Sequence, residues 1–313
     1  MSTDATRRAV ADGLSAQQRA SYRDNGYLLL DALLPTADLQ PLIDELAARV
    51  ERTAQEAYAA GRLGALFEEE PFARRLARIC ASMQDPSHIW QFAGEKYRSP
   101  AMAAVMTHPA ILDVVESVIG PEILAHPQFN VRAKLPDQEL TVVPWHQDLA
   151  YLRSDAEHTL IMNFWIPLVD ATAENGCVEV IPGSHRWGLL PHERIRNYHG
   201  IPDDKLPAGS IVTCPVPVGG ALLLQHKTVH RSIPNRSDHV RWSLDLRYSD
   251  PALPTGRPHT KGFIARSAAH PDSVAPSLRE WLQHSDSLSS GPARTVHPWK
   301  WVKRVRRRLA RML

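Results

Sequence analysis

The chain has 313 residues, 43% hydrophobic and 22% charged, ordinary globular usage that excludes disordered and fibrous classes. Lysine and arginine number 36 against 34 aspartate and glutamate, and the net of +2 gives no global pull toward nucleic acid, so no nucleic-acid partner is expected. The balance is uneven: residues 300–313 carry seven of the basic residues and no acid, which leaves the rest of the chain with 29 against 34, a net of −5.

In chain order, residues 16–125 read as mostly helical support. Tyr27 to Leu30 is short and apolar, like a strand. Thr36 is the expected N-cap of a helix whose apolar residues Leu39, Leu42, Ile43, Leu46 and Val50 recur at helical spacing. Further helices are expected over 70–80 and 100–119, with a polar, aromatic loop over 85–100 between them.

After residue 127 the pattern changes. Short β-rich runs at 129–135, 141–145, 160–167, 177–181, 211–216, 221–225 and 240–248 alternate with turn signals such as Asn175-Gly176, Pro182-Gly183 and Gly219-Gly220. This predicts a mainly β core over 127–250, a sandwich or jelly roll, inside a single domain spanning 1–313. The stretch 186–209, rich in Arg, His and Pro, interrupts the strands and is the expected lid. Residues 251–313 read as a C-terminal extension. Its tail, 300–313, is basic and amphipathic, a pattern suited to a membrane surface, to nucleic acid or an acidic carrier protein, or to packing as a terminal helix. Cys80, Cys177 and Cys214 are odd in number and far apart. They form neither a disulfide framework nor a CxxC zinc site, and a cytoplasmic location is expected.

The chemistry concentrates around His146-Gln147-Asp148. On a strand, residues i and i+2 share a face, so His146 and Asp148 would project together. One imidazole and one carboxylate are two parts of a facial triad for ferrous iron, and His230, after the strand-like 219–225, is the best third ligand. Alternation over 240–248 puts Arg241, Ser243, Asp245 and Arg247 on one face and Trp242, Leu244, Leu246 and Tyr248 on the other. A buried Arg241 needs an anion: an internal partner such as Asp245 or Asp250, or the carboxylate of a ligand held by its planar fork. Trp187, Tyr198, Arg194, Arg196 and Arg247 suggest a polar or anionic group on the substrate, or solvated side chains.

The pieces Trp145-His-Gln-Asp-Leu149, Asn175-Gly-Cys-Val-Glu-Val-Ile-Pro-Gly-Ser-His185, His230-Arg-Ser-Ile-Pro-Asn-Arg-Ser237 and Arg241-Trp-Ser-Leu-Asp-Leu-Arg-Tyr248, with Tyr22-Arg-Asp-Asn-Gly-Tyr-Leu-Leu-Leu-Asp31 before them, resemble the phytanoyl-CoA dioxygenase family of iron(II)/2-oxoglutarate oxygenases. The resemblance implies an α+β protein with a double-stranded β-helix, the cupin-like jelly roll, flanked by N-terminal helices. It implies that His146, Asp148 and His230 hold Fe(II), and that Arg241 and Ser232 take the distal carboxylate of 2-oxoglutarate. Trp165, with Lys134 on the strand before the HxD motif, would line the cosubstrate pocket. His226 is expected as a supporting or surface histidine and His185 as a turn residue that orders its loop, neither as a ligand. O2 would be the oxidant, succinate and CO2 the coproducts, and ascorbate the reductant in vitro. Related halogenating enzymes carry Ala or Gly at the position of Asp148, so hydroxylation, desaturation or cyclisation of a small molecule, in secondary metabolism, is expected. A lipid or acyl-thioester substrate, or a non-catalytic metal-binding jelly roll, is the alternative.

Overall fold

The computed structural model describes residues 13–85, 92, 94 and 96–283. The basic tail 300–313 and half of the loop 85–100 lie outside them.

The described chain opens on α1 (Ala16–Asn25), where Ser15 and Gln18 form a reciprocal capping box: Gln18 N donates to Ser15 Oγ at 3.2 Å and Ser15 N to Gln18 Oε1 at 2.9 Å. Strand β1 (Tyr27–Leu30) leads into α2 (Thr36–Ala59). Leu39, Leu42, Leu46, Val50, Ala54 and Ala57 form its buried stripe, as the helical spacing requires. Thr36 is not the N-cap. The cap position is Pro35, without a side-chain bond, and Thr36 is the first helical residue. Next come α3 (Phe72–Ser82), α4 (Pro100–Met106) and α5 (Pro109–Ile119). The single helix expected over 100–119 is two because Pro109 cannot donate to the turn before it, and His108 caps the second helix through Nδ1, which accepts from Ala110 N at 3.2 Å.

Strands β2 (Ile123–Ala125), β3 (Asn130–Lys134), β4 (Met162–Pro167), β5 (Val178–Val180), β6 (Glu193–Ile195), β7 (Tyr198–Gly200), β8 (Val212–Cys214), β9 (Ala221–Gln225), β10 (His230–Ser232), β11 (Arg241–Ser249) and β12 (Phe263–Arg266) follow, with α6 (Val274–Gln283) last. The large antiparallel sheet runs β1-β9-β4-β11-β2-β12, with β3 also paired to β11; the small one runs β10-β5-β8. The two make the expected jelly roll. The outer face of the large sheet, with Trp242, Leu244, Leu246 and Tyr248 fully buried, shares one apolar core with the α2 stripe. A second apolar cluster, including Trp165, Cys177, Val180, Cys214 and Leu222, lies on the inner side, together with residues of both sheets. Each fully buried leucine of these cores contributes about 1.5–3 kcal/mol.

Two further expectations need correcting. Residues 141–145 are not a strand: 139–141 form a short 3-10 turn, and pairing resumes only at an isolated bridge between His146 and His230. Pro144, just before the motif, has no N–H to give a ladder. Within the insert 186–209, β6 and β7 pair with each other. The extension after 250 is partly core: β12 extends the large sheet, and α6 packs Trp281 against Phe129 and Phe263.

Candidate active site

His146 and His230 face each other across two backbone hydrogen bonds of 3.0 Å, N to O in both directions. That pairing puts both imidazoles on one side, with ring centroids 4.1 Å apart. Asp148 opens a 3-10 turn, Asp148–Tyr151, and its carboxylate swings back toward the rings, Oδ1 lying 3.7 Å from His146 Nε2. One ligand atom from each of His146, Asp148 and His230 lies within 4.8 Å of the other two, and all three residues are buried. The triad therefore assembles without the strand geometry that the motif suggested.

The donor set fits a metal ion. His146 Nδ1 lies 2.9 Å from Pro144 O, and His230 Nδ1 lies 2.9 Å from Thr228 O. A carbonyl only accepts, so each Nδ1 carries the proton and each Nε2 is left with a lone pair, the tautomer a metal ligand needs. Burial, with the His230 imidazole alongside, pushes His146 down to about 3, which keeps it neutral. Burial opposes the charge on Asp148, but the Arg247 guanidinium beside it holds the carboxyl well below its ordinary range. Arg247 Nη2 is 3.0 Å from Asp148 Oδ1, and Asn163 Nδ2 donates to Asp148 Oδ2. Arg247 thus serves Asp148, and its other bond is to Gln128 O at 3.2 Å. Arg194 and Arg196 are exposed on the insert, where Arg196 pairs with Glu139 at 3.0 Å. Tyr198 donates to Leu140 O at 3.0 Å, and Trp187 is 36% exposed. None of these insert residues lines the triad cavity.

Beyond the triad the same cavity runs along β11 to Arg241 and Ser232, with Trp165 on one wall. Arg241 is 2% exposed, lies 4.9 Å over the Trp165 ring, and donates from Nη1 to Ser243 Oγ at 2.7 Å. Its Nε has no partner among the described residues. Asp245 does not pair with Arg241. It is taken by Arg132 of β3, so the internal ion pair that could have satisfied Arg241 is absent among the described residues. Lys134, opposite Arg241 in the β3–β11 register, is also buried, and Nζ donates to Ser232 Oγ at 2.9 Å and Thr141 O at 2.8 Å. Burial first, then Arg241 and Arg132, push its ammonium down to about 6. Lys134 does not itself line the triad cavity. It lies beneath Ser232, and Gly176 makes room for it: φ is +88°, and a Cβ there would fall 2.5 Å from Lys134 Cε. This end sets Arg241 and Arg132 against Asp245 alone, and Asp245 is bonded to Arg132, which leaves Arg241 to a carboxylate ligand.

Sequence reasoning missed the supports. Gln147, between the two ligands, points away from them. Its Nε2 donates to Gly188 O and Lys227 O, both at 2.7 Å, Oε1 accepts from Leu190 N at 2.8 Å, and its N–H donates to His192 Nε2 at 3.0 Å. The insert is thereby tied to the motif, and Trp145, Ile181, Ile201 and Val229 form an apolar seal there. His226 is buried behind Asp148, and its backbone carbonyl accepts from Leu149 N at 2.9 Å. His185 reaches Arg23 O at 3.0 Å through Nε2. Neither histidine belongs to the metal-ligand cluster.

A jelly roll with two histidines and one carboxylate converging at its inner face has the architecture of mononuclear non-haem iron oxygenases. The family model for phytanoyl-CoA dioxygenase matches residues 22–243, and the chain belongs to that family, whose members are iron- and 2-oxoglutarate-dependent oxygenases. It is 27% identical over 256 residues to a probable phytanoyl-CoA dioxygenase of Caenorhabditis elegans, covering 77% of both chains. It is 27% identical over 251 residues to the peroxisomal phytanoyl-CoA dioxygenase of Bos taurus, covering 76% of this chain and 69% of that one. The solved structure of a non-heme monooxygenase, ThoJ, superposes with a TM-score of 0.56 at 20% identity, covering 86% of this chain and 98% of that one. No single helix among the described residues is long and apolar enough to cross a membrane.

Proposed function

We propose that the protein oxidises a small organic molecule, by hydroxylation, desaturation or ring closure, with His146, Asp148 and His230 as the iron ligands and Arg241 as the anchor of 2-oxoglutarate. The observation that carries this reading is the pairing of two inward Nε2 lone pairs and one ionised carboxylate with a buried guanidinium that lacks a carboxylate partner. Bound ferrous iron supplies O2 activation coupled to decarboxylation of 2-oxoglutarate to succinate and CO2. The chain's own residues set the stage. The carbonyls of Pro144 and Thr228 fix both imidazoles, and Arg247 with Asn163 fixes the carboxylate. Arg241 and Ser232, backed by Lys134, orient the cosubstrate from its far carboxylate, which leaves its 2-oxo acid end toward the triad. The apolar seal around Trp145 excludes water on the insert side.

With its carboxylate, Asp148 would hold the metal, where related halogenating enzymes carry Ala or Gly, so the products are expected to be oxygenated, desaturated or cyclised and not halogenated. The test is succinate release in air with Fe(II), 2-oxoglutarate and ascorbate, screened for stimulation by pools of polyketide, amino-acid and acyl-thioester compounds, with chloride present. Stimulated succinate formation with a non-halogenated product supports the reading. A chlorinated product, or no O2-dependent succinate from any pool or in its absence, contradicts it.

A further inference from the structure

Beside the triad is a second cavity of about 470 Å³, lined by Tyr151, Arg153, His199, Arg257 and His259 among others. That volume lies in the range of small-molecule sites, roughly 300–1,000 Å³. The triad's own cavity, about 60 Å³, does not. Tyr151 stands between the two. It lines the larger cavity and meets His146 edge-on, with centroids 5.9 Å apart. Its hydroxyl is fixed on both sides, donating to His199 O at 3.1 Å and accepting from His199 N at 3.0 Å. A molecule in this cavity would therefore lie against the residue that flanks a triad ligand.

The lining contains two arginines and two histidines but no carboxylate. Arg257 Nε is buried and has no hydrogen-bond partner among the described residues. Burial, and then the charge of Arg247, hold Arg257 below its ordinary value. The two arginine-bearing segments are locked together. Arg153 N donates to Gly256 O at 3.2 Å, and Gly256, at φ +67°, approaches so closely that a Cβ would lie 2.7 Å from Leu152 Cβ. Two arginines on a fixed frame, in a lining that holds no acid, suit carboxylate or phosphate oxygens.

We infer that this cavity binds an anionic substituent of the substrate, a carboxylate or a phosphate ester, between Arg257 and Arg153, and that the rest of the substrate runs past Tyr151 to the triad. The placement of a substrate here rests on the oxygenase reading above; the anion selectivity does not.

The experiment uses the full chain loaded with Zn(II) and saturated with N-oxalylglycine, a 2-oxoglutarate mimic that fills the Arg241 end. Binding of 4-fluorobenzoate and of neutral 4-fluorobenzyl alcohol is read by 19F line broadening, and binding of phenyl phosphate by 31P. At least one anion should bind roughly tenfold or more tighter than the alcohol, and Arg257→Gln should remove about that factor, the loss expected for one charge-assisted hydrogen bond. Arg257→Lys, which keeps the charge, should restore part of it, and Arg153→Gln should lose less than Arg257→Gln. Preference for fluorobenzoate or for phenyl phosphate tells a carboxylate substrate from a phosphorylated one. Equal binding of anion and alcohol overturns the inference. So does anion binding that survives Arg257→Gln but is lost in Arg241→Lys, because the anion would then sit in the cosubstrate pocket. N-oxalylglycine binding to wild type is measured first, and its absence counts against the oxygenase reading, separately from the anion result.

Discussion

Two arginines on the polar face of β11 have opposite circumstances. Arg247, near one end, finds its counter-charge inside the chain: Asp148, at 3.0 Å, with both side chains buried. Arg241, at the other end, is as deeply buried, yet it has a hydroxyl, an aromatic face and a lysine across the register for company, with Asp245 already held by Arg132. An unpaired buried cation costs several kcal/mol, so a fold retains one only where something else supplies the anion. The first arginine completes a ligand, and the second waits for one.

The comparison can be broken at either end. The largest effect is expected at the completed end. Asp148→Asn leaves Arg247 buried without its partner and should lower stability by about 3–5 kcal/mol in urea unfolding. It should also abolish turnover by removing a metal ligand. His146→Ala should likewise abolish turnover and stoichiometric iron while leaving the Arg247–Asp148 pair in place, so its stability loss should be smaller. Equal stability losses in the two variants would mean that the ion pair contributes nothing.

At the open end, Arg241→Lys keeps the charge but loses the fork. Affinity for 2-oxoglutarate should fall by about 1.5–3 kcal/mol, roughly tenfold to a hundredfold, with little change in folding stability. A drop in stability with unchanged affinity would show that Arg241 is a structural residue after all.

The smallest and most specific effect is at Lys134. Its folded value is depressed to about 6, whereas the unfolded chain keeps an ordinary lysine. Between these values the unfolded state binds more protons, so without cosubstrate Lys134 makes stability rise with pH from about 6 toward 10. Below about 6 the penalty is present in full. Lys134→Met should flatten that rise, stabilise the cosubstrate-free protein and weaken 2-oxoglutarate binding. Thermal unfolding across pH, with and without 2-oxoglutarate, checks all three. A variant whose stability keeps the wild-type pH dependence would refute the low value.

How much of this the sequence revealed depends on the range of the interactions. Strict alternation in 241–248 placed Arg241 and Trp242 on the correct faces, because a strand buried on one side leaves a period-2 record. His146, Asp148, His230 and Arg241 were legible through their motifs. The distribution of partners was not. Alternation made Asp245 a reasonable mate for Arg241, and only the pairing of β3 with β11 shows that Arg132 reaches it instead. Gln147 looked like a spacer, yet it ties the insert to the motif through residues more than 40 positions away. The extra turn at Asp148 was hidden too, since a 3-10 turn after an isolated bridge still presents i and i+2 to one centre. The cavity beside Tyr151 combines 150–153, His199 and 256–260, three segments with no shared pattern.

The central claim is that one face of this jelly roll holds a metal at Asp148 and a dicarboxylate at Arg241, each needing the other. Anaerobic titration tests it most directly: Fe(II) into the apoprotein, then 2-oxoglutarate, followed by bound-iron stoichiometry and the visible charge-transfer absorption of the iron–2-oxo acid chelate. The account predicts one iron per chain, an absorption band that saturates at one equivalent of 2-oxoglutarate, no band in His146→Ala, and a band in Arg241→Lys only at much higher 2-oxoglutarate. A wild-type band unaffected by Arg241→Lys, or stoichiometric iron retained by His146→Ala, would contradict it.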